Sequence, residues 1–266
     1  MTAPGARSRL AGAALFAACL ALGVEFLVPP LAGSVAAAAL APSFGPGAEV
    51  RVDVRGSGFR LLEGRAEEVR VEARRAVVGG LPVSQLSGSL YGVRLDPLSP
   101  WRGGRPALRA VTRSRATFRI SQGDIARWLA ERGARARAAG QDGWFEAPSV
   151  TIGDGWIEVR GTAHYLGAAL PVAARGRIVA EAQESALAFR FDELTVGGRA
   201  VPAALANAVF QLLGGGARVQ FNLGSLPLQV TGVELSSGWA TVTAAGGAWA
   251  APSGATAAAP LGRAVL

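Results

Sequence analysis

Four arginines carry the clearest chemical pattern in this sequence. Arg109, Arg113, Arg115 and Arg119 share parity along an alternating stretch, so they would form a ladder on one strand face. Guanidinium groups match phosphate oxygens bidentately, so such a ladder suits lipid headgroups or nucleic acid. The plainer reading is a solvated face with counter-charges on neighbouring strands. The single histidine, His164, sits in a strand pattern, on the same face as Trp156, Glu158, Arg160 and Thr162. A Ser–His–acid hydrolase would need it beside a hydroxyl and a carboxylate, groups that meet in space rather than in sequence. A lone strand histidine is more often structural or exposed. Glu67–Glu68 and Asp192–Glu193 are adjacent, and strand neighbours face opposite ways, so neither pair is an acid/base dyad. Gly79–Gly80 and Gly214–Gly216 read as turns, and the chain has no G-x-S-x-G elbow and no P-loop. One Cys and one His exclude a disulfide scaffold, a cysteine zinc site and a multi-histidine metal centre. No cofactor is expected.

Composition narrows the elements that must position these groups. The chain has 266 residues, 50% of them hydrophobic, enough for a sizeable core and too apolar for wholesale disorder. Its 36 Gly and 15 Pro fit a turn-rich β protein better than a helical bundle. The net charge is +8, and every basic residue is Arg.

Residues 1–41 read as a targeting segment. Arg7 and Arg9 precede an apolar run from Leu10 to Val24, 15 residues without a charge, closed by Glu25. That length lies between a signal h-region and a membrane span. Ser34–Val35–Ala36 and Ala37–Ala38–Ala39 offer small residues to a signal peptidase. The alternative is an uncleaved anchor with its basic end inside the cell. Phe16–Ala17–Ala18–Cys19 is a poor lipobox. Either way the body lies outside the cytoplasmic membrane, where nucleic acid is not the expected partner and an anionic membrane surface is.

The body, residues 42–245, reads as strands with two helices. Glu49–Val54 and Glu68–Arg74 alternate apolar and charged residues, the mark of half-buried strands. Leu81–Leu95 is a turn-interrupted β region, Asp96–Arg109 a Pro/Gly-rich linker, and Val111–Ile120 alternates again. Ser121 opens a helix three residues before Asp124, a relative of the capping box, and Gly133 or Gly140 ends it. Gly153–Asp154–Gly155 marks a hairpin. Strands are predicted over Gly155–Tyr165, Leu170–Ala180, Ala186–Val196, Val219–Phe221, Leu228–Leu235 and Trp239–Ala244. Between them an uncharged helix runs from Pro202 to Gly214. A weak echo between Val77–Pro82 and Leu194–Arg199 hints at two similar halves, about 48–140 and 148–245. Residues 246–266 read as a disordered Ala/Gly/Pro-rich tail. Segregated strands with few helices indicate an α+β fold, a strongly curved antiparallel β-sheet around one or two apolar helices.

Such a sheet can leave an apolar groove. Its candidate lining is Ile125, Trp128 and Leu129 of the first helix, Leu205, Val209, Leu212 and Leu213 of the second, and Leu187, Phe189 and Phe191 of a strand. A buried acyl chain gains about 0.8 kcal/mol per CH₂, so a groove of this kind holds lipid without special polar chemistry. The plainer reading is that these residues pack on one another.

Several stretches, in order, resemble the LmeA-like phospholipid-binding family of exported bacterial proteins. They are Leu27-Val28-Pro29-Pro30-Leu31 with an Ala-rich stretch, Val50-Arg51-Val52-Asp53-Val54, Gly58-Phe59 with Leu61-Leu62-Glu63-Gly64-Arg65, and Val69-Arg70-Val71. Val78-Gly79-Gly80-Leu81-Pro82-Val83, Leu86 and Leu90-Tyr91-Gly92-Val93 follow, then Ala116-Thr117-Phe118-Arg119-Ile120 with Asp124-Ile125 and Leu129. Val150–Gly161, Leu226-Pro227-Leu228 and Val233 match the later part, so the likeness covers roughly residues 25–245. Where family members usually carry Pro-Phe after the first strand, this chain has Gly56-Ser57-Gly58-Phe59. The resemblance implies phospholipid binding in support of envelope lipid or lipoglycan metabolism, and a curved sheet similar to tubular lipid-binding folds. It brings no catalytic motif. The expected function is non-enzymatic phospholipid binding or transfer outside the cytoplasmic membrane, with an anionic lipid preferred. The alternative is an envelope assembly scaffold that binds a protein or glycan partner at the membrane surface.

Overall fold

The computed structural model describes residues 5–96, 108–141, 143–181, 186–202, 204, 205, 208, 218–220 and 228–250. Among the described residues, two antiparallel sheets and a few helices carry the body. The first sheet contains β1 (Glu49–Arg55), β2 (Arg65–Val78), β3 (Leu81–Leu95), β4 (Leu108–Val111) and β5 (Arg113–Ser121). It also contains β12 (Gln229–Ser236), β13 (Trp239–Gly246) and β14 (Trp249–Ala250). Its order is β1-β2-β3-β5-β13-β12, with β4 beside β3 and β14 beside β4. The second sheet contains β6 (Gly143–Gly153), β7 (Trp156–Tyr165), β8 (Ala168–Glu181), β9 (Ala186–Val196), β10 (Arg199–Val201) and β11 (Arg218–Gln220). Its order is β10-β9-β8-β7-β6, with β11 beside β9. Neither sheet closes into a barrel, and the architecture is the α+β, antiparallel, curved-sheet one that the pattern predicts.

Alternation decides the faces. In β5, Ser114, Ala116, Phe118 and Ile120 point inward and are buried, while Arg113, Arg115 and Arg119 are exposed. The same rule buries Val52 and Val54 of β1 and Val69 and Val71 of β2. Leu81–Leu95 is one continuous strand of 15 residues, with Pro82 opposite Val77 near its start. Bulges fall between Glu146 and Ser149, between Arg175 and Gly176, and between Val230 and Gly232. Each adds local twist and bends its strand. Ala147 within the first of these has φ +47°.

The sheets do not divide at the sequence halves. The last hairpin, β12–β13, returns to β5, so the end of the chain completes the first sheet. The turns lock the two sheets together: Gly155 N donates to Leu235 O at 3.0 Å, Gly238 N to Ile152 O at 2.8 Å, and Ser237 N to Asp154 Oδ1 at 3.1 Å. The buried side chains of both sheets form one continuous core.

The long N-terminal helix α1 (Gly5–Leu40) contains the apolar run Leu10–Val24. It is compatible with a signal peptide. A short helix, α2 (Gly58–Leu62), follows β1. Helix α3 (Gln122–Ala138) starts at a complete capping box. Ser121 Oγ accepts from Asp124 N at 3.1 Å, and Asp124 Oδ2 accepts from Ser121 N at 3.1 Å. The buried Asp124 carboxylate also accepts from the Ser84 hydroxyl of β3. The helix passes through Gly133 and stops before Gly140. Of the second predicted helix, Ala204, Leu205 and Ala208 are helical, Pro202 precedes them outside regular structure with its carbonyl accepting from Leu205 N at 2.9 Å, and the rest lies outside the described residues. Two other expectations change. Residues 108 and 109, the end of the predicted linker, open the strand Leu108–Val111, and the tail begins with structure, since Trp249 and Ala250 pair with Val111 and Ala110. The tail beyond Ala250 lies outside the described residues.

Asp124 thus ties a helix start to a strand. Asp124→Ala removes the carboxylate half of the capping box, keeps the Ser121 Oγ bond to the backbone N of residue 124, and takes from the Ser84 hydroxyl this acceptor, so stability should fall by about 1–3 kcal/mol. Urea unfolding measures this, and Asp124→Asn should recover part of the loss.

Candidate functional site

The outer face of the first sheet changes character across its strands. On β1 and β2 opposite charges alternate across the pair: Asp53 faces Arg70, and Arg55 faces Glu68. Arg55 reaches Asp53 at 3.3 Å and Glu68 at 3.6 Å, and Arg70 reaches Glu68 at 2.8 Å. The Arg70 hydrogen bond holds the Glu68 carboxyl below the usual carboxylate range. This part of the face neutralises itself.

The β5 arginines lie in different surroundings. Opposite Arg119, Arg115 and Arg113, β3 presents Gln85, Ser89 and Tyr91. On the other side β13 presents Thr241 to Arg119 and Ala245 to Arg115. None of these facing positions is acidic. Aromatic rings lie beside two of the arginines: Arg113 lies 4.8 Å from the Tyr91 ring centroid, and Arg119 lies 4.8 Å from that of Trp239. Arg109 is set apart from the predicted ladder. The strand breaks at Thr112, whose N–H bonds Tyr91 O at 2.9 Å, and Arg109 lies on β4, ion-paired with Asp96 at 2.8 Å. Three arginines rather than four share the face.

Most of the described residues predicted to line a groove lie in the core. Ile125, Trp128 and Leu129 are buried on the core side of α3, and Leu187 and Phe191 of β9 are buried in the same continuous core. Phe189 is half-buried, its ring stacked 6.4 Å from Phe191. Leu205 is 54% exposed, and the structure does not bring it to them. Val209, Leu212 and Leu213 lie outside the described residues.

Concave space appears instead on the other flank of α3. A cavity of about 450 Å³, open to solvent, lies against β6 and is lined by Ala130, Ala134, Ala138 and Arg137 of α3 with Trp144, Phe145, Glu146 and Ala147. The three alanines recur at i, i+4 and i+8, one stripe of the helix. At the mouth four side chains interlock. Arg137 lies 5.0 Å from the Trp144 centroid and 4.0 Å from Glu146, Trp144 stacks on His164 at 3.7 Å, and His164 Nε2 lies 2.9 Å from Glu146 Oε2. The imidazole face is covered by Trp144 and its Nε2 faces a carboxylate. No hydroxyl is among its described hydrogen-bond partners. Sequence reasoning missed this place because exposed alanines give no apolar periodicity. The one available cue was the regular spacing of Ala130, Ala134 and Ala138 beside Arg137.

Among the described residues, no group of three or more His, Cys, Asp or Glu is placed to hold a metal. The site therefore offers apolar volume, a fixed cation at its mouth and a separate cationic face. No curated protein and no solved structure matches the chain. A family model described as LmeA-like phospholipid-binding matches residues 23–245, most of the chain and all of both sheets except β14 and the last residue of β13, so the chain belongs to the LmeA-like phospholipid-binding family.

Proposed function

We propose that this protein binds one phospholipid without transforming it, outside the cytoplasmic membrane, and hands it on in support of envelope lipid or lipoglycan metabolism. Family membership over residues 23–245 carries the reading. The acyl part lies along Ala130, Ala134 and Ala138 in the cavity beside β6, and Arg137 meets the phosphate at its mouth. Arg113, Arg115 and Arg119 dock the protein on anionic headgroups. Their uncharged cross-strand neighbours favour this, because a cation with no acid directly across the ladder keeps its field for an external partner. Interleaved Tyr91 and Trp239 suit the same water–lipid boundary.

Native mass spectrometry of the purified chain, followed by lipid extraction, tests the reading. Near-stoichiometric phospholipid is expected. Ala134→Trp fills the cavity from an exposed position, so it should remove the lipid and leave the unfolding midpoint within about 0.5 kcal/mol of the parent. A lipid-free protein that also takes no lipid from vesicles would overturn carriage and favour the scaffold alternative.

The arginine face has its own test. Each exposed arginine near an anionic bilayer contributes on the order of 1 kcal/mol. The triple variant Arg113→Gln, Arg115→Gln, Arg119→Gln should bind phosphatidylglycerol vesicles about 100-fold more weakly at low salt. That difference should shrink as salt screens the parent protein. Vesicle co-sedimentation across a salt series reads both effects.

A further inference from the structure

Helix α1 runs without interruption from the apolar segment into the body, and from Gly23 onward one flank is built into the fold. Glu25 Oε2 accepts from Ser57 Oγ at 3.0 Å and from Gly58 N at 2.8 Å. Gly58, the first residue of α2, lets the two helices touch: a Cβ there would lie 2.3 Å from Val24 O. Gly33 does the same against β1, where a Cβ would lie 2.6 Å from Val52 O. Ala32, Ala36, Ala37 and Leu40 pack on the core. The family match also starts at residue 23, so this part of α1 falls within the matched region. Cleavage at Ala36 or Ala39 would strip the Glu25 and Gly33 contacts from α2 and β1, together with the packing of Ala32.

Another flank is bare: Leu27, Leu31 and Val35, spaced at i, i+4 and i+8, are each more than half exposed. Phe26, which shares the side of Gly33 seven residues on, is 72% exposed. Phe59 and Leu62 of α2, the helix held by Glu25, are exposed as well.

We infer that α1 is kept on the working protein as a membrane anchor, and that the bilayer covers its bare flank and the exposed side chains of α2. Continuity identifies the occupant. The same helix leads back into Leu10–Val24, which has no charged residue and is preceded by Arg7 and Arg9. Fifteen residues rise about 22 Å, short of the ~30 Å hydrocarbon core. Continuing through Phe26, Leu27 and Val28 brings the rise to about 28 Å. Glu25 falls inside that length. Ionisable side chains in a span are paired, and α2 supplies Glu25 with two donors. This places α2 at headgroup depth, where partly inserted Phe59 and Leu62 lose water contact. By length and hydropathy Gly23–Phe44 is also able to cross a membrane. The close contact of Gly33 and the burial of Phe44 hold that stretch to the body instead.

The test uses the full chain, expressed in an exporting bacterium. After alkaline carbonate washing, the membrane-bound protein is extracted and its intact mass measured. The expected mass retains Leu10–Val24; a mature chain that starts at or after Ala36 overturns the inference. A second measurement addresses the docked flank. Cys19 is the single cysteine, so in a Cys19→Ser background Phe59→Cys, Leu62→Cys and Glu72→Cys are each labelled with an environment-sensitive dye. In phosphatidylcholine/phosphatidylglycerol vesicles, positions 59 and 62 should shift to the blue and be quenched by brominated lipid, while position 72 stays water-like. Spectra at 59 and 62 that match position 72 overturn the docking. A chain that fails both tests can still carry phospholipid, so the outcome is separable from lipid carriage.

Discussion

Pairing of β13 with β5, from Trp239 opposite Ser121 to Gly246 opposite Ser114, carries the end of the chain back to its first half. Several features follow from that one register. It sets Thr241 and Ala245 beside the β5 arginines and brings Trp239 over Arg119. It places Gly238 where its carbonyl accepts from Gln122 N at 3.1 Å, at the start of α3. The same turn bonds Ile152 and Asp154 of the second sheet. A slip by one residue would turn every β13 side chain to the other face. The buried Ala240, Val242 and Ala244 would then meet solvent, and the joint between the sheets would lose its donors.

Charge follows the same logic of neighbours. β1 and β2 place acid against base across the ladder, and such cross-strand pairs are modestly stabilising. β5 sits between strands of Ser, Thr, Gln and aromatic residues, so its positive charge is not spent internally. Neither arrangement is visible from β5 alone. Both are properties of which strands become neighbours.

This marks the boundary of what the sequence makes legible. Alternation in Glu49–Val54 assigns the buried face of β1, and the Ser121–Asp124 spacing assigns the start of α3, because both signals are local. The Asp154–Gly155 turn is legible for the same reason. Partnership is non-local. Thr112 bends the chain through a bond to Tyr91, which removes Arg109 from the ladder, and nothing near Arg109 encodes that. Trp249 looks like part of a low-complexity tail until Val111 is found opposite. Ile125, Trp128 and Leu129 carry helical periodicity because they face the core. The cavity flank of the same helix, with Ala130 and Ala134, carries none.

The bulge in β6 has a further consequence. β6 is an outermost strand of the second sheet among the described residues, and Pro148 sits within it, beside Ala147 at positive φ. A proline has no N–H to offer, and a bulged rim does not match a flat strand. The other outermost strands among the described residues are blunted in different ways: β1 lies against α1, β12 is bulged at Gly232, β10 and β11 have three residues each, and β14 has two. An open sheet rich in apolar residues ordinarily invites strand addition from a second molecule. Here each of these rims denies an incoming strand a full row of donors and acceptors, which protects against sheet-to-sheet aggregation when many copies crowd together.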